Sequence, residues 1–146
     1  MSLDTNSSCQ VLTKTMGGLT ILEKGVKDVI SNGDFTLICE ESGSPRRCGG
    51  QGDILSGLVA GWMAWFKGWE QRIWSSTSPQ EEISNVTVYA SFAASYLTRN
   101  CSGMAFSLNA RGMMTTDVLQ QIPMVFWQIF ETDTVAKQSG QWKSKV

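Results

Sequence analysis

Apolar residues follow two rhythms along this chain. Short runs come first: "GLTILEKG" (residues 18–25) and "DFTLICE" (residues 34–40) each set a few apolar positions between loop-forming ends, which predicts two short buried strands. Between them Asn32-Gly33 predicts a tight turn, because both residues tolerate positive φ. Longer runs follow. "DILSGLVAGWMAWF" (residues 53–66) is apolar on nearly every side, which predicts a helix buried between layers and too short to span a bilayer. "NVTVYASFAASYLTRN" (residues 85–100) carries the Ala and aromatic content of a second buried helix. "TTDVLQQIPMVFWQIF" opens on a Thr-Thr-Asp cap and predicts a third, which Pro123 should kink or split. The polar stretch 68–84, with its Ser-Thr-Ser-Pro cluster, reads as a surface connection. Residues 1–11 read as irregular and 133–146 as a flexible tail, leaving 12–132 as the folded unit.

Strands followed by helices imply an α/β layer. Two strands cannot cover three helices, and parallel pairing calls for a larger sheet covered on both faces, so the pattern asks for strands beyond these. The 146-residue length suits one domain. A net charge of −1 provides no broad basic field, which argues against nucleic acid or an anionic membrane as partner. The lack of histidine excludes Ser–His and Cys–His nucleophiles, histidine-ligated zinc and imidazole proton shuttles. Acid–base work then falls to Asp, Glu, Lys, Cys or Tyr. Cys9, Cys39, Cys48 and Cys101 show no C-x-x-C spacing, so reduced, half-buried thiols are expected. Sequons at Asn6, Asn85 and Asn100 follow an N-terminus without a basic region and apolar run, and read as chance matches.

One stretch departs from the bland pattern. "SPRRCGGQGDILSG" places four glycines around Asp53, directly before the first helix. Small residues let backbone N–H groups crowd an anion, and the helix N-terminus adds roughly half a positive charge, so a phosphate site is a candidate. Asp53 then reads either as a base or as the helix N-cap. Lys24 and Lys27, by themselves, read as solvated loop charges. Trp62, Trp65 and Trp127 lie in apolar helical runs and read as core rather than as stacking platforms.

"KGVKD" at 24–28, "SNG" at 31–33, "RRCGGQGDILSG" at 46–57, "LTRNC" at 97–101 and "RGMMTTDVL" at 111–119 occur in one order. Together they resemble the eukaryotic ATP-dependent NAD(P)H-hydrate dehydratases, a ribokinase-like family, over residues 12–132 and over the C-terminal half of such an enzyme. The resemblance implies an α/β fold, the C-terminal half of a ribokinase-like three-layer αβα architecture. It implies a repair reaction in the cytosol or mitochondria. ATP with Mg2+ phosphorylates the added hydroxyl of the S-epimer of hydrated NADH or NADPH (NADHX, NADPHX), and loss of phosphate restores the dihydronicotinamide. Lys24, Gly25, Val26, Lys27 and Asp28 match the family's first ATP-binding segment. Gly43, Ser44, Pro45, Arg46, Arg47, Cys48, Gly49, Gly50, Gln51 and Gly52 match the second. Asp53 matches the aspartate that meets the hydrated nicotinamide, where it would serve as base, and no residue is matched to a metal. The other pocket wall would belong to the family's N-terminal half, so the apolar faces of helices 53–66 and 85–98 would favour self-association. Two other classes remain at this point: a ribokinase-like kinase of a small alcohol, and a non-catalytic nucleotide-binding fragment.

Overall fold

A computed structural model describes residues 8–75 and 85–131. Helix α1 (Ser8–Thr15) comes first, so residues 8–11 are helical rather than irregular. Cys9 and Thr13 lie four apart and therefore share the face that is buried. Strands β1 (Ile21–Glu23), β2 (Asp28–Ser31) and β3 (Thr36–Cys39) follow and form one antiparallel sheet in the order β1-β2-β3. The outer two correspond to the strands read from the sequence. β2 went unseen because "DVIS" is four residues long and opens on a charge. The Asn32-Gly33 turn joins β2 to β3. Asn32 N–H donates to the Phe35 carbonyl at 3.2 Å, and the Asn32 side-chain oxygen accepts the Phe35 N–H at 2.8 Å. Gly33 sits at φ +96°, where a Cβ would also lie 3.0 Å from Lys14 Cγ.

Successive side chains of a strand point to opposite faces. Ser31 and its cross-strand partner Thr36 face α1: Thr13 Oγ1 reaches the Ser31 carbonyl at 3.4 Å, and Gln10 Nε2 donates to Thr36 Oγ1 at 3.0 Å. Asp28 and Ile30 face the other way, onto α3 (Val86–Asn109), where Val88, Phe92 and Tyr96 pack with Ile30, Leu37 and Cys39. The meander needs only tight connections.

Helix α3 is the centre of the molecule. It touches the sheet, α2 (Gln51–Ser75) and α4 (Thr115–Phe130). A helix in contact on several sides must be apolar or small on several sides, and α3 buries Val88, Ala90, Ala94, Leu97, Cys101 and Ala105. One core cluster joins Leu97, Cys101 and Ala105 to Ile54 of α2, Val118 and Val125 of α4, and Met113. A second joins Ala90 and Ala94 to Leu55 and Trp62. Trp62 is buried, whereas Trp65 is 53% exposed and stacks on Trp62 with ring centroids 5.1 Å apart. Trp127 is 37% exposed, so of the three tryptophans expected in the core only Trp62 is fully there.

The helices run longer than their apolar patterns. α2 continues to Ser75, so residues 68–75 are helical rather than a connection, and the rest of the expected connection, 76–84, lies outside the described residues. The tail 132–146 lies outside them too. α3 continues to Asn109, and a 3-10 turn, Ala110–Gly112, leads to α4. The first turn of α4 is closed by the Asp117 carboxylate, which accepts the Met114 N–H at 2.7 Å. All four cysteines are free thiols; Cys9, Cys39 and Cys101 are buried, and burial pushes the Cys101 thiol up to about 12.

Pro123 does not split α4, which is continuous through it. Its ring lies on the exposed side, as does Leu119, whose carbonyl loses its helical partner and can be hydrated there. Pro123→Ala is expected to raise unfolding free energy by about 1–3 kcal/mol, measured by urea denaturation. An unchanged or lower midpoint would mean that α4 does not run straight through this position.

Candidate functional site

A cleft of about 890 Å³ opens where three pieces of chain meet. They are the β1–β2 loop, the segment between β3 and α2, and the face of α3 that carries Ser95, Thr98, Arg99 and Ser102. Arg99 holds the first two pieces to the third. Nε and Nη2 donate to the two Asp28 carboxylate oxygens at 2.8 and 2.6 Å. Nη2 also donates to the Gly25 carbonyl at 2.8 Å, and Nη1 to the carbonyls of Val26 and Glu41, both at 2.9 Å. Asp28 accepts two further bonds, from Ser95 Oγ and from the Gly25 N–H at 3.1 Å. Burial by itself raises the Asp28 pKa; the bonds from Arg99, Ser95 and Gly25, with the Arg99 charge, outweigh it and hold the carboxyl below its ordinary value.

The second segment is packed onto α3 through Gly43, where a Cβ would lie 3.2 Å from Ser102 Oγ. That hydroxyl accepts the Ser44 N–H at 3.2 Å and donates to the Arg99 carbonyl at 2.9 Å. Further on, Gly50 takes φ +93°, with Thr115 Cγ2 at 3.0 Å from where a Cβ would stand. Thr115 Oγ1 also donates to the Gly49 carbonyl, so the glycine turn is seated on the start of α4. The Gly50 carbonyl accepts the Ile54 N–H at 3.1 Å, the first bond of α2.

The cleft is lined by Lys24, Gly25, Val26, Lys27, Asp28, Gly43, Ser44, Pro45, Arg47, Cys48, Gln51 and Gly52, which brings the two sequence segments together. Arg46, Gly49, Gly50 and Asp53 do not line it. The two arginines part ways: Arg46 Nη1 donates to the Arg111 carbonyl, while Arg47 faces the cleft. Lys27 is taken by Glu40, its Nζ 2.5 Å from Glu40 Oε1 in an exposed pair. Lys24 Nζ lies 3.6 Å from the Cβ position of Gly52, directly over the first turn of α2. Gln51 adds a buried Nε2 without a partner among the described residues.

Asp53 is the third residue of α2 and exposed, its N–H bonded to the Gly50 carbonyl at 3.0 Å. Gly50, not Asp53, holds the capping position, and the Asp53 carboxylate has no protein partner among the described residues. Sequence reasoning assigned no role to Arg99, Ser95 or Ser102. The available signal was a lone arginine, in "LTRNC", within an otherwise apolar and small-residue helix.

Fold and cleft thus define a mixed helix-and-sheet domain whose cleft, lined by both basic and acidic side chains, opens at the N-terminus of a long helix. The NAD(P)H-hydrate dehydratase family model matches residues 2–124. The chain is 41% identical over 125 residues to the ATP-dependent (S)-NAD(P)H-hydrate dehydratase of Entamoeba histolytica, covering 86% of this chain and 38% of that protein. It is 40% identical to the protein of that name from Ciona intestinalis (93% and 36% covered) and 35% identical to the human one (88% and 35%). This chain belongs to the NAD(P)H-hydrate dehydratase family. It spans little more than a third of the length of these relatives.

The Asp28 carboxyl sets an expected acid response. Its folded pKa is depressed, so its stabilisation is present above the unfolded value and is lost as pH falls through the folded one. Asp28→Asn leaves Arg99 without its counter-charge and is expected to cost about 3 kcal/mol near neutral pH. Urea denaturation over a pH series should show a shallower acid slope in the variant; an identical slope would remove Asp28 as a contributor.

Proposed function

We propose that this chain carries the ATP-binding segments and the base of an ATP-dependent (S)-NAD(P)H-hydrate dehydratase, on the C-terminal half of a ribokinase-like three-layer αβα fold. The supporting observation is the Lys24 ammonium poised over Gly52 at the start of α2, in a cleft walled by both glycine-containing segments. A helix N-terminus, a free lysine and Arg47 form an anion site of phosphate character. Gly52 has no Cβ to hold a phosphate away from the backbone amides.

In this reading Lys24 and Arg47 neutralise the phosphate oxygens, and the amides of the glycine turn orient the terminal group. Asp53 accepts the proton of the substrate hydroxyl as its oxygen attacks the γ-phosphorus, the bond from that phosphorus to the β–γ bridging oxygen breaks and ADP leaves; the carbon–oxygen bond of the new phosphate ester then breaks to release phosphate, and loss of a proton from the neighbouring carbon restores the double bond. Among the described residues there is no cluster of three or more His, Cys, Asp or Glu able to hold a metal alone. Mg2+ would be held chiefly by the nucleotide phosphates and waters, as it commonly is, and would supply further charge neutralisation there.

The chain's short span of its relatives, together with the place of Asp53 outside the cleft lining, favours a second reading for the isolated chain: nucleotide binding without turnover. Trp65 of α2, Tyr89 of α3 and Met124 of α4 are exposed and support self-association in that state. The family's cytosolic or mitochondrial setting extends to this chain under the same proposal.

Calorimetry is expected to show ATP binding to the isolated chain, weakened at least about tenfold by Gly52→Val, whose branches enter the space below Lys24. Unaltered affinity would put the phosphates elsewhere. In a polypeptide with the whole family domain, Asp53→Asn is expected to keep ATP affinity and lower the rate of NADH recovery from NADHX by about 10²-fold or more. A rate within a few-fold of the parent would remove Asp53 as base. The chain alone is expected to recover no NADH, and a robust rate would exclude the second reading.

A further inference from the structure

Arg99 is only 15% exposed in its side chain, and each of the five N–H donors of its guanidinium meets a separate acceptance on Asp28, Gly25, Val26 or Glu41. Three of these acceptors are main-chain carbonyls of two of the stretches that line the cleft, the β1–β2 loop and the exit from β3. None of the donors points into the cleft unused. Without a cation there, the Gly25, Val26 and Glu41 carbonyls would lose their shared donor, and the neighbouring link between the two stretches would be the exposed Lys27–Glu40 pair. We infer that Arg99 is a positioning residue for nucleotide binding: it helps set the separation of the two ATP segments by bonding to α3 the backbone of the first segment and of Glu41, just before the second, without touching the nucleotide.

The inference rests on the ATP reading of the cleft and adds a residue to it. Its chemistry separates Arg99 from a merely stabilising ion pair. Lysine keeps the positive charge for Asp28 but lacks the planar fork that reaches Asp28 and three carbonyls at once. Charge pairing and loop spacing are therefore separable by one substitution.

The test compares wild type, Arg99→Met and Arg99→Lys in this chain, reading thermal midpoint and ATP affinity by calorimetry. Arg99→Lys is expected to regain midpoint relative to Arg99→Met, because the charge pair returns, while its ATP dissociation constant stays at least about tenfold above wild type. If Arg99→Met does not fold, Arg99→Lys against wild type still decides. Lysine binding ATP within about twofold of wild type would overturn the inference and leave the ATP reading standing. Should wild type bind no ATP, the ATP reading fails, and amide hydrogen exchange decides on the clamp: faster exchange in both 25–28 and 41–44 in Arg99→Lys supports it, and unchanged exchange in 41–44 overturns it.

Discussion

The buried pair of Asp28 and Arg99 is the constraint on which the rest of the structure depends. Removing two charges from water is costly, and their attraction offsets that cost only where the remaining donors and acceptors are also satisfied. Here they are: Asp28 accepts from Arg99, Ser95 and Gly25, and the other Arg99 donors go to main-chain carbonyls. The pair joins the first residue of β2 to the middle of α3. The β1–β2 loop and the exit from β3 are drawn in by the same guanidinium, while Ser102 seats the following Ser44 on the same helix.

α3 can serve as that anchor because it is built of small residues where other elements approach. Ala90, Ala94 and Ala105 meet the apolar clusters, while Ser95 and Ser102 turn hydroxyls toward the cleft side. Short side chains bring backbone close to backbone, which fixes the loops more firmly than long, mobile contacts would. The anion end of the cleft has the same logic. In the proposed reading it is bounded by Gln51 and Gly52 at the start of α2, and the glycine turn before them is held by Thr115 and by the first bond of α2.

Local physics made much of this legible beforehand. The three long helices, the outer two strands and the Asn32-Gly33 turn follow from periodicity and from positive φ, which neighbouring residues decide. The glycine turn before α2 was equally legible, since the φ of Gly50 is a property of that residue. The segments matched to nucleotide binding line one cleft except for Arg46, Gly49 and Gly50, and Asp53, matched as the base, lies outside that lining.

What the linear chain could not specify was partnership across distance. β2 is too short and too polar at its start to announce itself, and its strand state depends on α1 and α3 covering its two faces. The antiparallel order, the diversion of Arg46 to Arg111 and of Lys27 to Glu40 are likewise choices among partners. So is the central pair: 71 residues separate Asp28 from Arg99, and neither side chain carries any local mark of the other. By itself the sequence determined the central parts of the three long helices, the outer two strands and the Asn32-Gly33 turn, because those preferences are settled within a few bonds. Only the tertiary structure decided which charge is buried, which is spent on a carbonyl and which stays free over Gly52, because each outcome depends on what folding places within hydrogen-bond reach.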